Sequence, residues 1–137
     1  MNLQNQFEAL CSPFTENKPL INSLWNEIET RYSEKGRHYH NLLHLENMFK
    51  ELEDVKGNIS DYTAISFSVF YHDVIYDASS KSNEEKSAAK AEKRLSELQF
   101  NKDIISIILL AVSIPKLLNN KSLNGMPRGS LNSCKNF

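Results

Sequence analysis

Among 137 residues there are only two cysteines, four glycines and four prolines, and each scarcity closes off a class of protein. Cys11 and Cys134 lie at opposite ends of the chain, which is no disulfide framework and fits a reducing, cytoplasmic setting. The glycines never cluster, so no glycine-rich phosphate loop is present. Long apolar runs are missing too: the longest, Ile104 to Val112, is about half of the roughly 20 residues that a membrane-spanning helix needs. A net charge of -1 leaves no strongly basic face, which argues against a nucleic-acid or anionic-membrane partner and for a small soluble one. The opening MNLQNQFEAL has neither a basic leader nor an apolar segment, so no secretory signal is expected. Alternating strand patterns are absent as well.

What the chain does contain is helical periodicity. From Pro19 to about Ser33, apolar residues recur at Leu20, Ile21, Leu24, Trp25, Ile28 and Tyr32, the spacing of one buried helix face. A turn at Gly36 to Tyr39 leads to a second helix over Asn41 to Asp54, with Leu45, Met48, Phe49 and Leu52 on one side. Ser60 or Asp61 can cap a third that runs to about Tyr76, and its nearly continuous apolar character makes it the central one. Ser82-Asn83-Glu84-Glu85 fits a capping box ahead of Ala88, Ala91, Leu95 and Leu98. Asn101 then caps the apolar helix, which Pro115 is expected to end. The predicted fold is all-α, in one domain over 1–112.

After Val112 the composition changes. Ser113 to Phe137 hold four Lys or Arg and no Asp or Glu, whereas residues 1–112 hold twelve basic against seventeen acidic side chains. The segment 113–137 lacks apolar periodicity, and a loose, irregular basic tail is expected.

The chemistry is concentrated. All four histidines lie in RHYHNLLH, from Arg37 to His44, and in SVFYHDVIY, where His72 and Asp73 sit side by side in an apolar run. Burying a carboxylate costs several kcal/mol, roughly, unless a counter-charge, a hydrogen-bond network or a metal compensates it. His40 and His44 are four apart, a spacing that places both on one helix face and suits a metal ion, although such a pair is equally at home on a surface or hydrogen-bonded in a core. A divalent cation satisfies His44, His72 and Asp73 together; a buried ion pair of Asp73 with Arg37 or a histidine is the alternative. Nitrogen and carboxylate donors suit Zn, Mn, Fe, Ni or Co, and Mg is not excluded.

RHYHNLLHLENM, FYHDVIYD and SNEEKSA resemble, in order and spacing, the HD-domain superfamily of metal-dependent phosphohydrolases, specifically its branch of small bacterial predicted phosphohydrolases. The resemblance covers roughly Leu20 to Val112. It implies a helical bundle with His44, His72 and Asp73 as metal ligands, a phosphate ester or nucleotide as substrate, and Asp73 and Glu84 as catalytic groups. It further implies second-shell or substrate-side positions for His40, Asn41, Tyr76, Asp77 and Asn83. The family's distal Asp has no counterpart, since Asp103 is the last acidic residue, so the bundle is expected to be incomplete at its C-terminus, as a frameshift or premature end would leave it. A non-catalytic remnant, or an interaction module that self-associates through an exposed 104–112 helix, is the competing expectation, and a zinc-stabilised structural domain that also uses His38 or His40 is a third.

Overall fold

The computed structural model describes residues 2–118, with side chains through Val112. Six helices follow one another: α1 (Leu3–Cys11), α2 (Lys18–Tyr32), α3 (Leu42–Val55), α4 (Tyr62–Tyr71), α5 (Asn83–Ser96) and α6 (Lys102–Leu118), with one 3-10 turn at Lys56–Asn58. No strand occurs among the described residues, so the all-α expectation holds.

Capping side chains start four of these helices, Asp61 among them as expected. Asn2, Asn17, Asn41 and Asp61 each accept a hydrogen bond from the backbone N–H three residues on. Asn101 does the same for α6, accepting from the N–H groups of Asp103 and Ile104. Gly36 supplies the left-handed turn between α2 and α3, with φ +94°.

Helix α4 is the axis of the molecule. Seven of its ten residues are buried, which is why it carries no polar face. It packs against α1, α3, α5 and α6. The core around it is aromatic: Phe7 of α1 meets Phe70 edge-on at 5.1 Å and Phe67 at 6.1 Å, and Phe49 of α3 lies 4.8 Å from Phe70. Outside this core, Arg94 of α5 grips both carboxylate oxygens of Glu27 of α2 at 2.8 Å.

Several expectations are corrected. Helix α4 stops at Tyr71, not near Tyr76, so His72 and Asp73 sit at the helix end and in the turn beyond it. The physical reason lies in long-range bonds that capture the carbonyls after Tyr71, described below. Helix α1 was not expected, yet Leu3, Phe7 and Cys11 form its buried stripe. The capping box does not use its serine: the Ser82 hydroxyl bonds that of Ser80 at 3.0 Å. Helix α6 runs through Pro115 to Leu118; so near a helix end, a proline forfeits one backbone bond to the carbonyl four residues back without breaking the preceding turns. That helix covers the first part of the predicted tail, and residues 119–137 lie outside the described residues. Nor does α6 stand unpartnered: Ile105, Ile108 and Val112 are buried against α4 and α5, leaving Ile107 and Leu110 as the exposed strip. No helix among the described residues is long and apolar enough to cross a membrane.

Candidate metal centre

The site is built where α4 ends. The last four carbonyls of a helix have no partner within it, and here each is found one. Ser68 O accepts from the His72 N–H at 2.9 Å, Val69 O from His72 Nδ1 at 2.6 Å, Phe70 O from the Tyr32 hydroxyl at 2.9 Å and Tyr71 O from the Val74 N–H at 3.2 Å. Past the helix the chain is held by side chains from elsewhere. Arg37 donates to Asp73 O at 2.8 Å and Val74 O at 3.0 Å, and the Ser87 hydroxyl bonds both the N–H and the carbonyl of Ile75 at 3.1 Å. Asp73 is therefore presented by a turn with almost no freedom.

This turn faces the start of α3. His40, His44 and Asp73 bring ligand atoms that all lie within 4.8 Å of one another, each residue being half-buried. This group is able to hold a metal ion. His40 Nδ1 is 2.7 Å from Asp73 Oδ2 and its ring stacks on Tyr76 at 4.5 Å. The ring of His44 faces that of His72 at 5.6 Å. His72 Nε2 is buried and lies 3.1 Å from Asp73 Oδ2, with no other partner. A carbonyl can only accept, so the Val69 contact puts a hydrogen on His72 Nδ1, while Nε2 faces the Asp73 carboxylate, whose charge favours a proton there. Of the expected ligands His44, His72 and Asp73, the structure therefore groups His44 and Asp73 with His40, and His72 lies outside that group, its Nε2 against the Asp73 carboxylate.

Electrostatics follow from this packing. Burial alone would raise the Asp73 carboxyl, but His72 and His40 at its oxygens hold it well below the usual carboxylate range, so it is anionic at neutral pH. Burial lowers the His44 imidazole, with His72 adding to the effect, and keeps it an unprotonated donor. For His72 burial acts downward and the Asp73 carboxylate overrides it, leaving its pKa raised.

The other predicted residues divide. Asn41 caps α3, accepting from the His44 N–H at 3.1 Å, and thereby aims the His44 side chain. Tyr76 packs on His40. Asp77 and Asn83 clasp each other, Asn83 Oδ1 accepting from Asp77 N at 3.0 Å and Nδ2 donating to Asp77 O at 2.9 Å, while the Asp77 carboxylate is used by Ser79. Glu84 sits half-buried in the first turn of α5 and makes no hydrogen bond or ion pair with the described residues. Exposed His38 lies outside the donor group. Of the alternative partners for Asp73, the histidines meet its carboxylate, His40 at 2.7 Å and His72 at 3.1 Å, whereas the Arg37 guanidinium holds the Asp73 backbone. Tyr32 and Ser87 were missed as supports. A serine at a buried register of α5 was the available signal for Ser87, whereas the hydroxyl of Tyr32 was hidden behind its ring's fit to a core face.

Comparison of the chain with models of known protein families, with curated proteins and with solved structures finds no match.

Proposed function

We propose that the chain is a metal-dependent phosphohydrolase of the HD-domain type, acting on a small phosphate ester or nucleotide. The observation that carries this reading is the His40, His44 and Asp73 group, whose ligand atoms lie within 4.8 Å of one another, with the buried Nε2 of His72 3.1 Å from Asp73 Oδ2. His44, His72 and Asp73 are the ligands in this reading, with His40 supplying the further donor that a distal Asp would otherwise give. When bound, a divalent ion supplies Lewis-acid polarisation of a phosphoryl oxygen and a more acidic water. The chain's own residues do the rest. Asp73 provides the negative charge, the Val69 carbonyl orients the His72 ring, and Tyr76 restrains the His40 ring. Glu84, uncommitted to any bond, is the candidate general base. Zn, Mn, Fe, Ni, Co and Mg are the candidate ions, with nitrogen-rich ligation favouring the transition metals. Nucleic acid and membrane are not among the proposed partners, and the cytoplasm is the proposed location, consistent with a free Cys11 thiol that burial pushes up to about 12.

A second reading, a non-catalytic module that self-associates through α6, is favoured by Ile107 and Leu110, which are 47% and 61% exposed. One experiment separates the two. Metal-supplemented protein is assayed against a panel of phosphate esters and nucleotides while its mass in solution is followed, with His72→Ala as the control for contaminating phosphatase. Turnover by a monomer, abolished in His72→Ala, supports the enzyme; no turnover from an oligomer supports the module.

A further inference from the structure

Arg37 is 7% exposed, and burying a guanidinium is costly unless its hydrogens are used. Most of them are spent on backbone carbonyls. Nη1 donates to Asp73 O at 2.8 Å and to His40 O at 3.1 Å, and Nη2 to Val74 O at 3.0 Å and to Glu34 Oε1 at 3.2 Å. Its flat head lies between two aromatic rings, 5.0 Å from the centroid of Tyr32 and 5.6 Å from that of Tyr76. Tyr76 in turn stacks on the imidazole of His40.

The choice of carbonyls is informative. The helix-end carbonyls of α4 are already satisfied by His72, Tyr32 and Val74, so Arg37 is not needed to close that helix. Its Nη1 instead forks between the carbonyls of two residues that carry metal donors, His40 and Asp73, which are 33 positions apart in sequence. These two residues come from segments that share no helix: the turn before α3 and the turn after α4. A buried apolar side chain would fill the same space at lower cost, but would leave the separation of the two turns unset.

We infer that Arg37 is a positioning residue, which fixes the spacing of His40 against Asp73 and thereby sets the affinity and coordination geometry of the metal group. This rests on the metal-centre reading above. Ligand distances in such sites are held to about 0.2 Å, and loss of supporting bonds behind the ligands typically costs 10- to 100-fold in metal affinity. Lysine in place of Arg37 keeps the charge but lacks the planar fork that reaches two carbonyls from one nitrogen and a third from the other.

The test uses the full chain, with Arg37→Lys and Arg37→Gln, and three readouts. Cobalt(II) titration gives affinity and, from the visible bands, coordination geometry; ¹⁵N imidazole signals report the His40–Asp73 contact without metal; urea unfolding reports stability. Titrations are run where each variant is folded. In Arg37→Lys we expect cobalt(II) affinity to fall at least tenfold, the visible bands to change, and the His40 signals to move toward those of a free imidazole. Wild-type affinity, bands and His40 signals in both variants, whatever their stability, would overturn the inference and leave Arg37 a structural residue. If the wild type takes up no cobalt(II), the metal-centre reading has failed. The His40 signals then decide separately: unchanged in the variants, they overturn the positioning role; shifted, they support it.

Discussion

Replacing Tyr32 by Phe removes a single oxygen from the structure's most constrained point. The hydroxyl donates to Phe70 O at 2.9 Å and accepts from the Asp73 N–H at 3.2 Å, and Tyr32 and Phe70 are fully buried. Without it, one backbone acceptor and one backbone donor lose their partners. A buried polar group left unpaired costs about 1–3 kcal/mol. The Phe70 carbonyl should bear a full penalty of this kind, because water cannot reach it. The Asp73 N–H should bear a smaller one, since its bond is longer and Asp73 is 18% exposed at its side chain. The expected loss is roughly 2–4 kcal/mol, a large fraction of the ~5–15 kcal/mol that holds a domain of this size. Urea unfolding followed by helical circular dichroism and by the fluorescence of Trp25 measures it directly, and an unchanged slope confirms that only stability moved. A loss under about 0.5 kcal/mol would refute the reasoning, because it would mean that these groups find other partners and that the turn does not depend on the hydroxyl.

Three further outcomes are expected. Phe7→Ala should cost about 3–5 kcal/mol in the same unfolding measurement, because Phe7 is fully buried against Trp25, Phe67 and Phe70; a cost under 1 kcal/mol, roughly, would show that α1 is dispensable. The Arg94 hydrogen bonds, outweighing burial, hold the Glu27 carboxyl below its ordinary value, so their stabilisation is present above the unfolded carboxylate pKa near ~4.3 and is lost as pH falls through the lower folded value. Unfolding of wild type and Glu27→Gln at pH 7 and pH 3 should therefore show the larger acid loss in the wild type, by about 1–2 kcal/mol, and equal losses would contradict the pairing. Ile107→Lys with Leu110→Lys should leave stability within about 0.5 kcal/mol while abolishing any self-association seen by sedimentation, since both side chains are exposed.

The helices α2, α3, α5 and α6 were legible because each repeats its apolar residues at helical spacing, and α2, α3 and α6 also begin after a capping side chain. The end of α4 was not. Val74, Ile75 and Tyr76 prolong the apolar run in sequence, and nothing local marks Tyr71 as the last helical residue. What stops the helix comes from positions 32, 37 and 87, whose hydrogen bonds to Phe70, Asp73, Val74 and Ile75 no periodicity encodes. The same limit applies at the candidate metal centre. Histidines beside an acid in an apolar run pointed to a donor cluster, and of the expected donors His44, His72 and Asp73 the structure groups His44 and Asp73. That His40 joins them depends on the turn at 37–41, where Arg37 and Asn41 direct the backbone. The role of Arg37 was invisible for the opposite reason: an arginine suggests an ion pair, which Glu34 supplies, and only the folded geometry shows that it also holds three carbonyls.

The central claim, that His40, His44, His72 and Asp73 form a centre for one divalent ion, is tested most directly by metal content. Protein purified without chelator, then stripped and reloaded by equilibrium dialysis against zinc, manganese and cobalt(II) in turn, is analysed by elemental mass spectrometry beside His44→Ala and Asp73→Ala. The account predicts close to one ion per wild-type chain for at least one of these metals, and its loss from both variants while their circular dichroism shows the helices intact. Wild-type protein that retains no ion, or folded variants that retain as much as the wild type, would contradict it.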